Sequence, residues 1–505
     1  MKFNFKTKGQ NKTGNYEGGA AYRLSPEWNL YVAAVTSSLS DKFYETAGER
    51  VETLRSLAAK CNPEFTAKLA VYARSQMNLR SMPLVLAVEL SKIHHGDAIV
   101  CKTVTQIVQR VDEITELLAY YQLANERKET KKLNRLSKQI QAGLRNAFNK
   151  FDEYQFAKYN RDAAIKLHDA LFLVHPKAKD ENQQAVFNKI VENKLETPYT
   201  WETELSALGQ TKFASDEEKS AAFRNKWEEL IDSGKLGYMA LLRNLRNILD
   251  AQLPKEYIGK VCGRLSDEKA VLHSKQLPFR FLAAYRELSK VNSGFAPQIM
   301  DALEKAVTVS AANIAGFDAQ TKVLVACDVS GSMRCNISPK SSVMNYDIGL
   351  MLGMLLKSRC KNIISGIFGD KWKVVNLPNT GVLSNVDAFY KREGEVGYST
   401  NGYLVIQDLI DRKMAMDKIM IFTDCQLWNS KRDGQSMQKA WNKYKDLYPD
   451  AKLYLFDLAG YGNTPLDISN KDVYLLAGWS DKVFDLLSAV DNGSNALQEI
   501  NAIVL

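Results

Sequence analysis

The stretch Val323 to Met333, VLVACDVSGSM, constrains the fold of this chain more than any other. It opens as a short apolar run rich in Val and Leu, the pattern of a buried central strand, and ends in Asp328, Ser330 and Ser332. Oxygen-bearing side chains at alternate positions in a turn just past a strand can converge on one point. Carboxylate and hydroxyl oxygens together suit a hard divalent cation, and Gly331 lets the turn be tight. The alternative for the same residues is a helix N-cap cluster, since Ser and Asp are also what caps require.

The pattern Asp-x-Ser-x-Ser after a buried strand resembles the metal-ion-dependent adhesion site of von Willebrand factor A domains. That site takes a Thr and an Asp from two later loops, and both are present in order. Thr400 lies in Gly397-Tyr-Ser-Thr-Asn-Gly402, ahead of an amphipathic run, and Asp424 follows the apolar segment Lys418-Ile-Met-Ile-Phe-Thr423. The resemblance implies that Asp328, Ser330, Ser332, Thr400 and Asp424 hold one cation, Mg²⁺ first and Mn²⁺ second. Positions would remain for water or for an acidic residue of a protein partner. This chain departs from the pattern at Tyr398-Ser399, where similar proteins have glycines, and at Asn401, where an Asp is usual.

From residue 317 to 505 strand and helix patterns alternate, which predicts an α/β doubly wound sheet. Strands are expected at 322–327, 363–368, 372–376, 418–423, 452–457 and 473–476, with an antiparallel edge hairpin around Phe368-Gly369-Asp370-Lys371. Ligands of such sheets bind beyond the strands' carboxyl ends near the switch point, where Asp328 and Asp424 fall. All five His precede Thr321, so this half has no base for a Ser-His-Asp triad. No GxxxxGK[ST] or GxGxxG follows a strand. Two carboxylates are few for a two-cation nuclease, and no enzyme activity is expected.

Ahead of this half, residues 1–25 are polar and Gly-rich, an arm rather than a packed element. Residues 26–316 are all-α, with apolar residues at three- and four-residue spacing and short breaks such as Asn62-Pro63. No strict period appears, so a repeat array here is a degenerate one of the HEAT or armadillo kind. Of the formal charge of +9, the segment from Thr321 onward carries 21 Lys and Arg against 20 Asp and Glu, so +8 belongs to the first 320 residues. That asymmetry fits a polyanion-binding front half, and equally a mildly basic solvated surface. No run of about 18 apolar residues exists to span a bilayer, and the N-terminus lacks a signal-peptide core, so a cytoplasmic protein without a membrane partner is expected. Seven Cys without a CxxC pair read as reduced thiols.

Three stretches carry a further resemblance: Tyr16-Glu-Gly-Gly-Ala-Ala-Tyr22, Met239-Ala-Leu-Leu-Arg-Asn-Leu-Arg246 and Leu277-Pro-Phe-Arg-Phe-Leu282. They look like the corresponding segments of TROVE proteins, the Ro autoantigen and its bacterial relatives. The resemblance implies a two-domain fold, an all-α HEAT-like helical repeat ring followed by a von Willebrand A domain. It also implies a monomeric, RNA-binding ribonucleoprotein scaffold for Y-like small noncoding RNAs and for single-stranded ends of misfolded RNAs, with an exoribonuclease as a candidate protein partner. The competing reading is a metal-dependent protein-binding module with no RNA ligand.

Residues that suit RNA are visible in two helical stretches. Arg161, His168 and His175 are spaced by heptads and are expected on one face of a helix over 161–174, with Lys166 beside them. Pro176 should end that helix at His175, and His175 with Lys177 could grip phosphate or stack on a base, or His175 could satisfy helix-end carbonyls. A helix over Leu236 to Asp250 would bury Leu241, Leu242, Leu245, Ile248 and Leu249 and project Arg243, Arg246 and Asn247, either toward phosphates or into solvent. Arg280 lies between Phe279 and Phe281, where it could stack on a base, although aromatic residues so placed are commonly core.

Overall fold

The computed structural model describes residues 12–37, 47–125, 136–160, 163–310, 320–337, 341–428, 436–470, 472–478, 481–491 and 494–505. The chain divides into two compact units. One comprises Met1–Leu57, Leu277–Ala283 and Ser310–Glu499, and the other Ala58–Gln276, Ala284–Val309 and Ile500–Leu505.

The second unit is helical. Its helices begin where the sequence supplies caps: Asn62 accepts from the Glu64 amide ahead of Pro63, and Asp180 and Ser215 accept from Gln183 and Glu218. Helix Ser81–Ile93 is buried from Met82 to Ser91, so neighbouring helices cover it on all sides. Three short helices occur at Glu153–Tyr159, Trp201–Gly209 and Glu268–Ser274. At seven to nine residues they are too short to show a convincing apolar period.

A buried ion pair ties this unit together. Arg74 donates to Glu113 at 2.9 Å, and the other Glu113 oxygen accepts from the Gln109 and Arg110 amides at 2.8 and 3.0 Å. The Glu113 side chain is fully buried. Glu113→Ala should therefore strand one guanidinium and two amides, and is expected to destabilise this unit by about 3–5 kcal/mol. The denaturant midpoint of the helical unit measures it.

The first unit holds a six-stranded sheet of order β5-β4-β3-β6-β7-β9. The strands are β3 Lys322–Asp328, β4 Asn362–Phe368, β5 Trp372–Val374, β6 Lys418–Thr423, β7 Lys452–Asp457 and β9 Val473–Ala477. All pair in parallel except β5, which is the expected antiparallel edge. The central strand β3 is buried from Val323 onward. Helix Asn345–Arg359 lies close against the sheet because of Gly349 and Gly353. A Cβ on them would stand 3.1 Å from Phe422 and 2.9 Å from Val325.

Residues 12–23 correct the expectation of an unpacked arm. They form β1 Lys12–Gly14 and β2 Ala20–Arg23, and β2 pairs antiparallel with the two-residue β8 Asn463–Thr464. Helix Pro26–Val35 follows into the same unit, where the Tyr31 hydroxyl contacts the Ala477 backbone. Arg50, 2% exposed, donates to the carbonyls of Gly460 at 2.6 Å and Ala459 at 2.7 Å. The described residues 12–37 and 47–57 thus belong to the unit that holds the sheet. All seven Cys are free, four of them buried. No described helix is long and apolar enough to cross a membrane.

Candidate functional site

Because β3 and β6 are parallel neighbours with Cys327 opposite Phe422, their carboxyl ends emerge side by side. This is the switch point of the sheet: β4 lies to one side of β3 and β6 to the other. Asp328 and Asp424 meet there, 1% and 0% exposed. Asp328 accepts from the Ser330 amide at 2.9 Å and the Thr423 hydroxyl at 2.6 Å, and Asp424 accepts from the Gln426 amide at 3.0 Å. Ser330 and Ser332, both buried, place their hydroxyls 3.4 Å apart.

The third loop brings Thr400. Asp370 accepts from the Ser399 amide at 2.9 Å, and these Ser399 hydrogen bonds hold its carboxyl below the usual carboxylate range. The Gly331 amide donates to Tyr398 and the Trp428 amide to Thr400, so the loop is pinned to both neighbours. Gly397 makes this possible: its φ is +72°, and a Cβ there would sit 2.1 Å from Asp370. Tyr398 and Ser399 are accommodated in this loop with Thr400 3% exposed.

Burial pushes the carboxyl groups of both Asp328 and Asp424 above their ordinary range, and their mutual repulsion raises Asp328 further. No Lys or Arg among the described residues bonds either. Buried Thr400 Oγ1 and Asp424 Oδ2 have no hydrogen-bond partner. Two carboxylates short of countercharge, the orphaned Thr400 hydroxyl and two serine hydroxyls are a donor set that fits a hard divalent cation. The described residues hold no cluster of three His, Cys, Asp or Glu suited to a metal, so such an ion would depend on the hydroxyls.

The proposed RNA residues fall less neatly. Arg161 lies outside the described residues, and the helix runs from Leu167 to Val174, with the described residues 163–166 ahead of it. Asp169 in the first turn accepts from the Lys166 amide and starts the helix there. His175 ends it, as Pro176 requires, in the left-handed region with φ 50°. Arg145 already satisfies the Val174 carbonyl and Gln141 the Leu173 carbonyl, so helix capping does not occupy the exposed His175 ring. Lys177 is exposed two residues on. Arg280 is exposed over the Phe279 ring at 5.1 Å, while Phe279 and Phe281 are core.

The expected helix over 236–250 is broken at Asn244 into Tyr238–Arg243 and Leu245–Asp250. The five predicted apolar residues are buried nonetheless, and Arg243, Arg246 and Asn247 are exposed. Arg243 borders a groove of about 320 Å³ whose walls include Tyr154, Tyr159, Tyr199 and Trp201. Arg110 stands 4.4 Å over Tyr159, and Lys235 5.0 Å over Tyr199. These groove residues come from several helices, and no sequence spacing links them.

The TROVE domain profile matches residues 31–193 and 191–305. Telomerase protein component 1 of Rattus norvegicus is 26% identical over 343 residues, 52% of this chain and 13% of that protein. The Mus musculus protein of the same name is 27% identical over 316 residues, 47% of this chain and 12% of that protein. The chain therefore spans a small fraction of those relatives' length. The crystal structure of the Deinococcus radiodurans Ro (RSR) protein matches 92% of this chain and 100% of its own at TM-score 0.59 and 17% identity. That match fits the expected class, HEAT-like helical repeats followed by a von Willebrand A domain.

Proposed function

This chain belongs to the TROVE-domain family, and from that premise we propose that it is an RNA-binding scaffold of a ribonucleoprotein. The observation that carries the reading is the groove beside Arg243, where Tyr154, Tyr159, Tyr199, Trp201 and Tyr238 stand among Arg110, Lys158, Lys235 and Arg243. Aromatic faces stack unpaired bases and cations hold the backbone, which is how single-stranded RNA is gripped without an A-form duplex. The ligands in this reading are single-stranded RNA ends, together with Y-like small noncoding RNAs held outside the groove. The setting is the cytoplasm.

In the same proposal Asp328, Ser330, Ser332, Thr400 and Asp424 hold Mg²⁺, or Mn²⁺ in its place. The bound ion would supply the countercharge that the two aspartates lack and leave coordination positions for water or a carboxylate.

The test is native purification of the full chain followed by ribonuclease treatment, and anisotropy with a single-stranded oligonucleotide across a salt series. Nucleic acid that copurifies and is released by salt supports the reading. A chain that comes out free of nucleic acid and ignores the oligonucleotide at about 0.1 M salt would favour a protein-binding module instead.

A further inference from the structure

The turn between β1 and β2 lies against the loop that carries Asp424. Asn15 Nδ2 donates to the Leu427 carbonyl at 2.8 Å, and the Tyr16 amide donates to Gln426 Oε1 at 2.8 Å. The Trp428 indole N–H donates to Glu17. Gln426 joins the two layers, since its own amide donates to Asp424 and its side chain reaches Asn463 at the start of β8. The approach is close enough to exclude a side chain at Gly19, whose Cβ would lie 2.3 Å from the Leu427 carbonyl. Asn15 shapes the turn from inside by accepting from the Gly19 amide at 2.7 Å.

The docking carries a third acid toward the paired aspartates. Glu17 accepts from the Trp428 indole, four residues past Asp424, so the docked turn holds its carboxylate on the loop that carries Asp424. It is not near enough for Glu17, Asp328 and Asp424 to form one metal-holding cluster. A carboxylate at that remove acts on a cation through bound water or through the field, as outer carboxylates do in metal sites generally. Without a cation the hairpin presses negative charge onto a site already short of positive charge. With one, the same charge becomes favourable.

We propose that Glu17 is a positioning residue of the cation site, and that docking of the β1–β2 hairpin and divalent-cation binding are thermodynamically coupled. The inference rests on the cation reading above. Coupling is reciprocal: if the docked hairpin tightens cation binding, the cation tightens the hairpin by the same factor.

Glu17→Gln is the decisive variant, because the amide oxygen can still accept from Trp428 while the charge is gone. Titrating full chains with Mn²⁺ by calorimetry, we expect its Kd to rise roughly tenfold over wild type, with Glu17→Asp in between. Asn15→Ala, which undocks the turn but keeps Glu17, should weaken Mn²⁺ in the same direction. Hydrogen exchange gives the reciprocal reading: Mn²⁺ should slow exchange of the Tyr16 and Gly19 amides in wild type and do so far less in Glu17→Gln. Unchanged affinity in Glu17→Gln, with wild type binding Mn²⁺, overturns the coupling and leaves the cation site standing. A wild-type chain that binds neither Mn²⁺ nor Mg²⁺ overturns both.

Discussion

In calorimetric titration Asp328→Ala should bind neither Mg²⁺ nor Mn²⁺ while keeping the circular dichroism of the folded sheet. Asp328 is one of two carboxylates in this donor set among the described residues, and the three hydroxyl donors cannot compensate a dication by themselves. The stability consequence has a sign that separates a cation site from a structural pair. In chelator the wild type crowds two buried carboxyls whose joint ionisation burial and repulsion oppose, a cost that Asp328→Asn removes while its one oxygen still accepts from the Ser330 amide and its N–H₂ can donate to the Thr423 hydroxyl. The Asn variant should then be no less stable than wild type without metal. At roughly a hundred times Kd of free Mg²⁺ the wild type should gain about 2.7 kcal/mol, and the variant nothing. Unaltered Mg²⁺ affinity in Asp328→Ala sinks the assignment. So does a wild type whose unfolding midpoint ignores Mg²⁺.

This site was legible because its geometry follows from strand order. An apolar run, an acid at its end and a second such run with its own acid place two carboxylates together once the strands are parallel neighbours, and β3 and β6 are. Thr400 was harder to place, since a loop with Tyr398 and Ser399 in place of glycines needs Gly397 and Asp370 to hold its course. The hairpin was not legible. Its Gly-rich composition reads as an arm, and the partners that order it, Leu427, Trp428 and Thr464, are some four hundred residues away. The break at Asn244 likewise has no breaker residue to announce it. Asn244 is 2% exposed and bonds the Ala240 carbonyl and the Asn247 side chain, yet the apolar face survives because the two short helices stay in phase. Heptad spacing draws the helix from 161, whereas the described residues 163–166 lie ahead of its start at Leu167.

Arg243→Ala/Arg246→Ala should weaken binding of a single-stranded RNA by roughly a hundredfold, since each charge-assisted hydrogen bond to phosphate is worth roughly 1.5–3 kcal/mol. Arg243 borders the aromatic groove, while Arg246 is exposed and faces Asp250 at 3.6 Å, a surface pair too weak to hold it back. Arg243 should therefore carry the larger share. Affinity should fall with salt at a slope near −0.7 per phosphate contact, and the double variant should lose roughly one to two units of that slope. A circular RNA has no end to offer, so it should bind more weakly than a linear one of the same sequence if ends enter the groove. Asp328→Ala should leave RNA affinity nearly unchanged, because the excess of +8 lies in the first 320 residues and the groove is built from helices. All arms call for the full chain, because a fragment ending near residue 316 would remove β8 and the sheet against which β2 and Arg50 pack. An undiminished affinity in the double variant, with wild-type binding intact, moves the RNA surface away from this groove. An Asp328→Ala effect as large as that of the two arginines moves it to the sheet unit.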